Sequence, residues 1–453
     1  MTDAAPLAAV RRRVPPGPPI DPYALAGNTG ILYDSGDRLL VGIGSALTLP
    51  LESGLDPPSG LDRIRRVLAA LPCDDEAEEP GSAVVAFGAL PFDRSEPTSL
   101  IVPELIYDRR SNGEEWVTVI GRAFSGAPRD ELTAAGHRGS ASTVARRRKT
   151  PNRENGTAGA VVRPLSSDHE FLGIVGAAVA AIERGELSKV VLSRQVDIGF
   201  EHALEVPELL DRWRAMEPNC TVFSMPTPEG QFVGASPELL VERHDDQVHC
   251  RPLAGSTGQM SDQDAANFRS SSKETLEHRL VPEAIGRALA PLCSSLDVPA
   301  EPALVRLHNI MHLGTSIHGV LLRQPAAGHP DGEVPTALDL VSALHPTPAV
   351  AGVPTDRAVD TIGKLESELR GTYAGPVGFV DGNGDGRWVV GIRAATLHGS
   401  TARLVAGVGI VRGSEPAAEL AETSLKFTAV FDALAPGVPF TTAPRQLELP
   451  AVP

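Results

Sequence analysis

The chain has 453 residues, of which 42% are hydrophobic and 22% charged, an ordinary balance for a soluble globular protein. It excludes wholesale disorder and a small disulfide-stapled fold, and at roughly 100–200 residues per domain it allows two to four domains or one large mixed unit. The net charge of −16 repels polyphosphate, so no nucleic-acid partner is expected, although a pocket can set a local field that admits a small anion.

Residues 1–25 are rich in Pro, Arg and Ala, with Arg11-Arg12-Arg13 and Pro15-Pro16, and read as a loose leader. Met1 to Pro6 offers no basic segment followed by an apolar core, so no signal peptide is expected. Residues 28–125 alternate short apolar runs with Gly, Pro and Asp turns, and 82–92, 99–107 and 116–121 read as strands. Residues 125–165, with Arg146-Arg147-Arg148-Lys149 inside, read as a flexible exposed insert.

From Ser166 the pattern tightens. A helix is predicted over 170–184, its apolar stretch too short to span a bilayer, then a strand over 189–198 and a helix over 204–216. An antiparallel meander follows to Arg251. A long helical region is predicted over 262–292, interrupted or adjusted near Pro282. Strand-like segments fill 304–322. Helices are predicted over 337–344 and 355–369, and a hairpin of 373–381 with 387–397. A strand over 402–411 precedes a closing helix over 416–434, and 436–453 form a tail. Consecutive strands with short turns imply antiparallel pairing without regular βαβ alternation, so the class is α+β. Cys73, Cys220, Cys250 and Cys293 form no C-x-x-C pair and read as free thiols in a reducing cytoplasm. No membrane association is expected.

Several motifs carry possible chemistry. Asp381-Gly-Asn383-Gly-Asp385-Gly386 begins like a calcium loop, but the twelfth position is Ile392 where a bidentate Glu is needed, so it reads as a hairpin turn. His308-x-x-x-His312 has Asn309 where a zinc protease needs Glu, and the zinc reading is set aside. Glu274 with Glu277, and Glu419 with Glu422, are spaced to share a helix face. Such like charges fit a solvated face, or a hard cation such as Mg²⁺ that takes oxygen ligands. Lys189, Glu238 and Arg393 sit in apolar strand-like runs, where a charge is costly unless paired or used. A Lys and a Glu there can serve as general base and acid, and an Arg can clamp a carboxylate.

Together these stretches resemble the chorismate-utilising enzymes. The resemblance rests on Lys189-Val-Val-Leu-Ser-Arg194, Gly234-Ala-Ser-Pro-Glu238, Pro252-Leu-Ala-Gly-Ser256, Lys273-Glu-x-x-Glu-His278 and His345-Pro-Thr-Pro-Ala349. It continues through Tyr373-Ala-Gly375, Gly391-Ile-Arg393, Ala406-Gly-Val-Gly-Ile-Val411 and Ser414-x-Pro-x-x-Glu419-x-x-Glu422-Thr-x-x-Lys426. These occur in the family's order over about residues 165–435. The resemblance implies one large two-layer, mostly antiparallel β-sandwich surrounded by helices, spanning 26–435. It implies Glu277 and Glu422 as Mg²⁺ ligands, supported by Glu274 and Glu419, with the ion holding the ring carboxylate of chorismate. Arg393 and Tyr373 would clamp the enolpyruvyl carboxylate, helped by backbone N–H groups near Gly407 and Gly409. Lys189 would activate water for attack at C2, Glu238 would protonate the departing C4 hydroxyl, and His312 would line the pocket.

Within the family, Lys189 stands where water-using members carry their base, which disfavours an aminating enzyme and hence a glutamine amidotransferase subunit. Ala349 is small where anthranilate synthase-like members carry Thr. Ala254 stands where aminodeoxychorismate synthases carry a nucleophilic Lys. Ser256 favours formation of isochorismate over onward elimination of pyruvate to salicylate. The expectation is therefore a monomeric, Mg²⁺-dependent isomerase making isochorismate. Salicylate synthesis, or a catalytically silent chorismate-binding paralogue, are the alternatives.

Overall fold

The computed structural model describes residues 7–56, 59–79, 81–121, 127–139, 160–258, 261–326 and 329–441. Two large sheets dominate, one of 13 strands and one of 9. Their pairing is antiparallel except where Ala9–Arg13 runs parallel to Cys73–Asp75. The sheets share a core: Tyr33 of the larger meets Phe379 of the smaller edge-on at 5.3 Å, within a cluster that also holds Phe87, Phe232 and Trp388. Alternation along Ile31–Asp34 sends Ile31 and Tyr33 into this core and Leu32 to the opposite face. There Leu32 joins Trp213 of helix Val206–Met216 and Phe431 of helix Pro416–Leu434. The architecture is the expected α+β arrangement of layered antiparallel sheets with helices outside. No described helix is long and apolar enough to cross a membrane, and the four cysteines are free.

Several expectations need correction. The leader read over 1–25 is part of the fold from Ala9 onward. Ala9–Arg13 pairs with Glu115–Ile120, and Asp21 caps the short helix Pro22–Ala26. Arg11 is buried because carboxylates from separate segments, Asp75, Glu79 and Asp108, lie within 3.3–3.7 Å of it and Trp116 stacks on it at 4.8 Å. The insert read over 125–165 contains helix Pro128–Gly139 and strand Val161–Pro164. The Arg146–Lys149 run lies outside the described residues. Phe440, read as tail, packs on Phe427 and Phe431.

Two local departures shape the site. The helical region over 262–292 is not interrupted at Pro282, which sits buried within helix Ser272–Leu289. It divides instead at Ser271, whose side chain caps the amide N–H of Glu274. Glu274 and Glu277 therefore occupy the first turns of a new helix. The second strand read over 387–397 is also two strands. Gly386–Val390 stays in the 9-stranded sheet, while Ala394–His398 joins the 13-stranded one. The chain crosses between sheets at Gly391-Ile392-Arg393, with Arg393 in the left-handed region at φ 53°. For a residue with a Cβ this conformation costs about 1–2 kcal/mol, and it brings the Arg393 side chain to the junction of the sheets.

Candidate active site

The site is built on strand Lys189–Gly199, which pairs along its whole length with Thr401–Val411. That register sets Val191 opposite Gly409 and Ser193 opposite Gly407. Above the two glycines lies a small cavity of about 60 Å³. A methyl group at Gly409 would stand 2.0 Å from Glu277 Oε1, and one at Gly407 would stand 2.9 Å from the Tyr373 hydroxyl oxygen. The glycines thus keep the cavity floor open. Gly409→Ala should lower kcat/KM for the proposed reaction at least tenfold and also lower the melting temperature, because the buried Glu277 must shift, a comparison made by steady-state kinetics and thermal unfolding.

Of the sequence-predicted residues, Glu238, Ser256, Glu277, His312 and Ala349 line this cavity. So do Tyr373, Arg393, Gly407 and Gly409. Lys189, Glu274, Glu419 and Glu422 are not among its lining residues. Lys189 is wholly buried behind the wall, its Nζ 3.2 Å from Glu277 Oε1.

Glu238 lies just before strand Leu239–His244 and is 3% exposed. Burial pushes its carboxyl up to about 7, against the weaker opposing pull of Lys189, Arg393 and Lys426. A carboxylic acid is thereby kept available near neutral pH. Arg393 donates from Nη2 to His312 Nε2 at 3.0 Å. Because guanidinium nitrogens only donate, Nε2 must be the acceptor and Nδ1 must carry the proton. Nδ1–H then points to the Gly255 carbonyl at 2.9 Å, with Ser256 Oγ at 3.1 Å. Burial, with the Arg393 charge, holds His312 well below its ordinary pKa, so the ring is neutral. The buried Arg393 Nε has no hydrogen-bond partner among the described residues, which suits it to meet an anion.

The four helix carboxylates stand in a chain of lysines. Lys273 Nζ lies 2.7 Å from Glu419 and 3.8 Å from Glu274, and Lys426 Nζ lies 2.7 Å from Glu422. Glu274 also accepts the Ser256 amide at 3.1 Å. Burial pushes Glu274 up to about 7, with the charges of Glu277 and Glu422 adding to it. Burial also raises Glu419, and Glu422 adds there. Among the described residues no three such groups converge with ligand geometry; three lysines, Lys189, Lys273 and Lys426, lie against the four carboxylates instead. Hard oxygen donors that repel one another in a half-buried place nevertheless fit a divalent cation such as Mg²⁺ in type.

The sequence profile of the family described as "Chorismate binding enzyme" matches residues 31–435. The chain belongs to this family. It is 37% identical to a protein named putative isochorismate synthase MenF of Mycobacterium tuberculosis, over 80% of this chain and 90% of that one. It is 32% identical to the isochorismate synthase EntC of Escherichia coli, over 84% of this chain and 88% of that one. Among solved structures, a putative 2,3-dihydroxybenzoate-specific isochorismate synthase, DhbC from Bacillus anthracis, superposes with a TM-score of 0.71 at 30% identity. That likeness covers 90% of this chain and 96% of the other.

For this chorismate binding enzyme, sequence reasoning gave no role to three cations. Arg370 and Lys426 line the cavity, and Lys273 bridges two carboxylates. A signal existed for one of them: Glu422 and Lys426 are four apart on helix Pro416–Leu434, the spacing of a helical ion pair. Lys426 also donates to the Gly407 carbonyl at 2.9 Å, tying the last helix to the cavity floor. His308 and His312 do not share a helix: His312 is on strand Met311–Gly314. Asp381–Gly386 is a hairpin turn, closed by the Gly384 amide on the Asp381 carbonyl at 3.0 Å.

Proposed function

We propose that the chain is an isochorismate synthase, converting chorismate reversibly to isochorismate with Mg²⁺. The observation that carries the reading is a buried lysine and a buried glutamic acid beside one cavity that also holds a guanidinium whose Nε has no partner among the described residues. Water is a poor nucleophile and hydroxide a poor leaving group, so a base and an acid together address both problems.

Lys189 takes a proton from the water that attacks C2. Glu238 gives its proton to the hydroxyl that leaves C4 as water, and the ring double bonds shift between the two carbons. Arg393, with the Tyr373 hydroxyl beside it, holds the enolpyruvyl carboxylate, and neutral His312 fixes the guanidinium from behind. Glu277 and Glu422 would hold Mg²⁺, with Glu274 and Glu419 supporting it. When bound, the ion supplies positive charge for the ring carboxylate. Cationic side chains around the cavity let a protein of net charge −16 accept a dianion. Names of the relatives support the water-using branch, as do Ala349 and Ser256 in the cavity wall.

Product analysis tests this reading. Purified protein with chorismate and Mg²⁺ should give a chorismate–isochorismate mixture that settles to a fixed ratio. Salicylate with an equal amount of pyruvate would move the assignment to salicylate synthesis, and no loss of chorismate would reject both. Chelation of Mg²⁺ should reduce turnover at least a hundredfold, with recovery on adding Mg²⁺ back. Full activity in chelator would reject the role given to the four glutamates.

A further inference from the structure

We infer that Arg370 and Glu366 are positioning residues that hold the Lys189 strand and the facing cavity wall in register. The inference rests on the proposed role of Lys189 as base.

The strand carrying Lys189 is covered by Thr401–Val411 along one edge. On the other edge, Gly352–Val353 covers only Lys189 and Val190, and Val161–Pro164 begins at Val196. Among the described residues no strand pairs with the stretch between. Buried main-chain groups there still need partners. The Val191 amide donates to the Ala351 carbonyl at 2.7 Å. The Gln195 carbonyl accepts from the Leu165 amide at 3.0 Å. Two further partners are side chains: Arg370 Nη2 donates to the Val191 carbonyl, and Ser193 N–H donates to Glu366 Oε1, each at 2.7 Å. One ion pair takes the place of a missing strand.

The same pair also holds the adjoining wall. Arg370 Nη1 donates to the Val350 carbonyl at 2.8 Å, next to Ala349 in the wall. Arg370 also forks onto Glu366, from Nε at 2.9 Å and Nη2 at 2.5 Å. Both side chains are at most 5% exposed, and the Phe92 ring covers the guanidinium at 4.3 Å. Arg370 lines the cavity, so a substrate clamp is the competing role. Its donors decide against that: four of five N–H groups are already committed to Glu366, Val191 and Val350. What it can control is the path of the backbone two residues beyond Lys189, and misplacement of a reacting group by about 1 Å can cost a hundredfold in rate.

The test uses Arg370→Lys, which keeps the charge but cannot fork, and Glu366→Gln, which keeps an acceptor for Ser193 but loses the ion pair. Steady-state kinetics on chorismate and deuterium uptake by the folded proteins are measured together. The expected result for Arg370→Lys is a kcat lowered about a hundredfold, a KM within about threefold of wild type, and faster uptake over residues 189–195. Glu366→Gln should show the same pattern and serves alone if Arg370→Lys does not fold. A raised KM with kcat retained would make Arg370 a substrate clamp. A lower melting temperature with both constants retained would make the pair mere scaffold, and unchanged uptake over 189–195 would reject the brace. Each of these overturns the inference. A wild-type protein inactive on chorismate would sink the proposed function instead, while the uptake comparison would still judge the brace.

Discussion

Lys189→Ala should lower kcat at least a thousandfold, at the strong end of the 10²–10⁴ range for general acid–base catalysis. The side chain is wholly buried, so no exposed lysine substitutes for it, and its nearest charged partner is Glu277 at 3.2 Å. Alanine also leaves Glu277 without that partner, and removing one half of a buried pair destabilises by roughly 3–5 kcal/mol. Part of any loss could therefore be misfolding. Lys189→Arg separates the effects. It keeps a cation beside Glu277 but cannot give up a proton near neutral pH. Turnover should stay low in Lys189→Arg while the melting temperature stays closer to wild type than that of Lys189→Ala. Rates within threefold of wild type for either variant would remove Lys189 from the chemistry.

Glu238→Gln should lower kcat by about 10²–10⁴ and alter both the pH profile and stability. In wild type the acid form is needed, and burial raises this carboxyl from 4.5 to about 7. Activity should therefore fall as pH rises through about 7, and the residual activity of Glu238→Gln should lack that limb. The variant's effect on stability is opposite in sign to its effect on activity. A carboxyl with a raised folded-state pKa binds its proton more tightly folded than unfolded. Its stabilising contribution is complete below about pH 4.5 and lost as pH rises through about 7. Above that, an ionised buried carboxylate costs on the order of 3 kcal/mol, which glutamine avoids. Denaturant unfolding of Glu238→Gln should show a gain over wild type at pH 8 that vanishes at pH 4. An equal difference at both pH values would show that Glu238 does not titrate as its burial dictates.

Both effects depend on features read from sequence with unequal ease. Helices Ala337–Leu344 and Pro416–Leu434 have the bounds expected, because local apolar spacing and terminal residues such as Thr336 define them. Strand Lys189–Gly199 was legible as an apolar run. The ordered motifs identified the residues that meet around the cavity, and chain order alone could not have brought Ser256, His312 and Arg393 within hydrogen-bond reach of one another. What escaped was set by distant partners. Arg11 reads as solvent-facing until Asp75, Asp108 and Trp116 close over it. Arg393 reads as mid-strand, since nothing local shows that the chain changes sheets there. Glu366 and Arg370 lie at and beyond the end of helix Thr355–Leu365, where no local pattern marks them. Their bonds to Ser193, Val191 and Val350 span up to 179 positions of sequence, beyond any local pattern. The helix division at Ser271 was readable in principle, because Ser followed three residues later by Glu is a helix-start signal.

The central claim is that water, admitted beside Lys189, supplies the new ring hydroxyl while Glu238 releases the old one. Running the reaction in oxygen-18 water and analysing isochorismate by mass spectrometry at low conversion tests it most directly. The mechanism predicts that each isochorismate formed carries one heavy oxygen at C2, with unreacted chorismate unlabelled. Isochorismate formed without label would mean that the hydroxyl migrates within the substrate, and would contradict the roles of both Lys189 and Glu238.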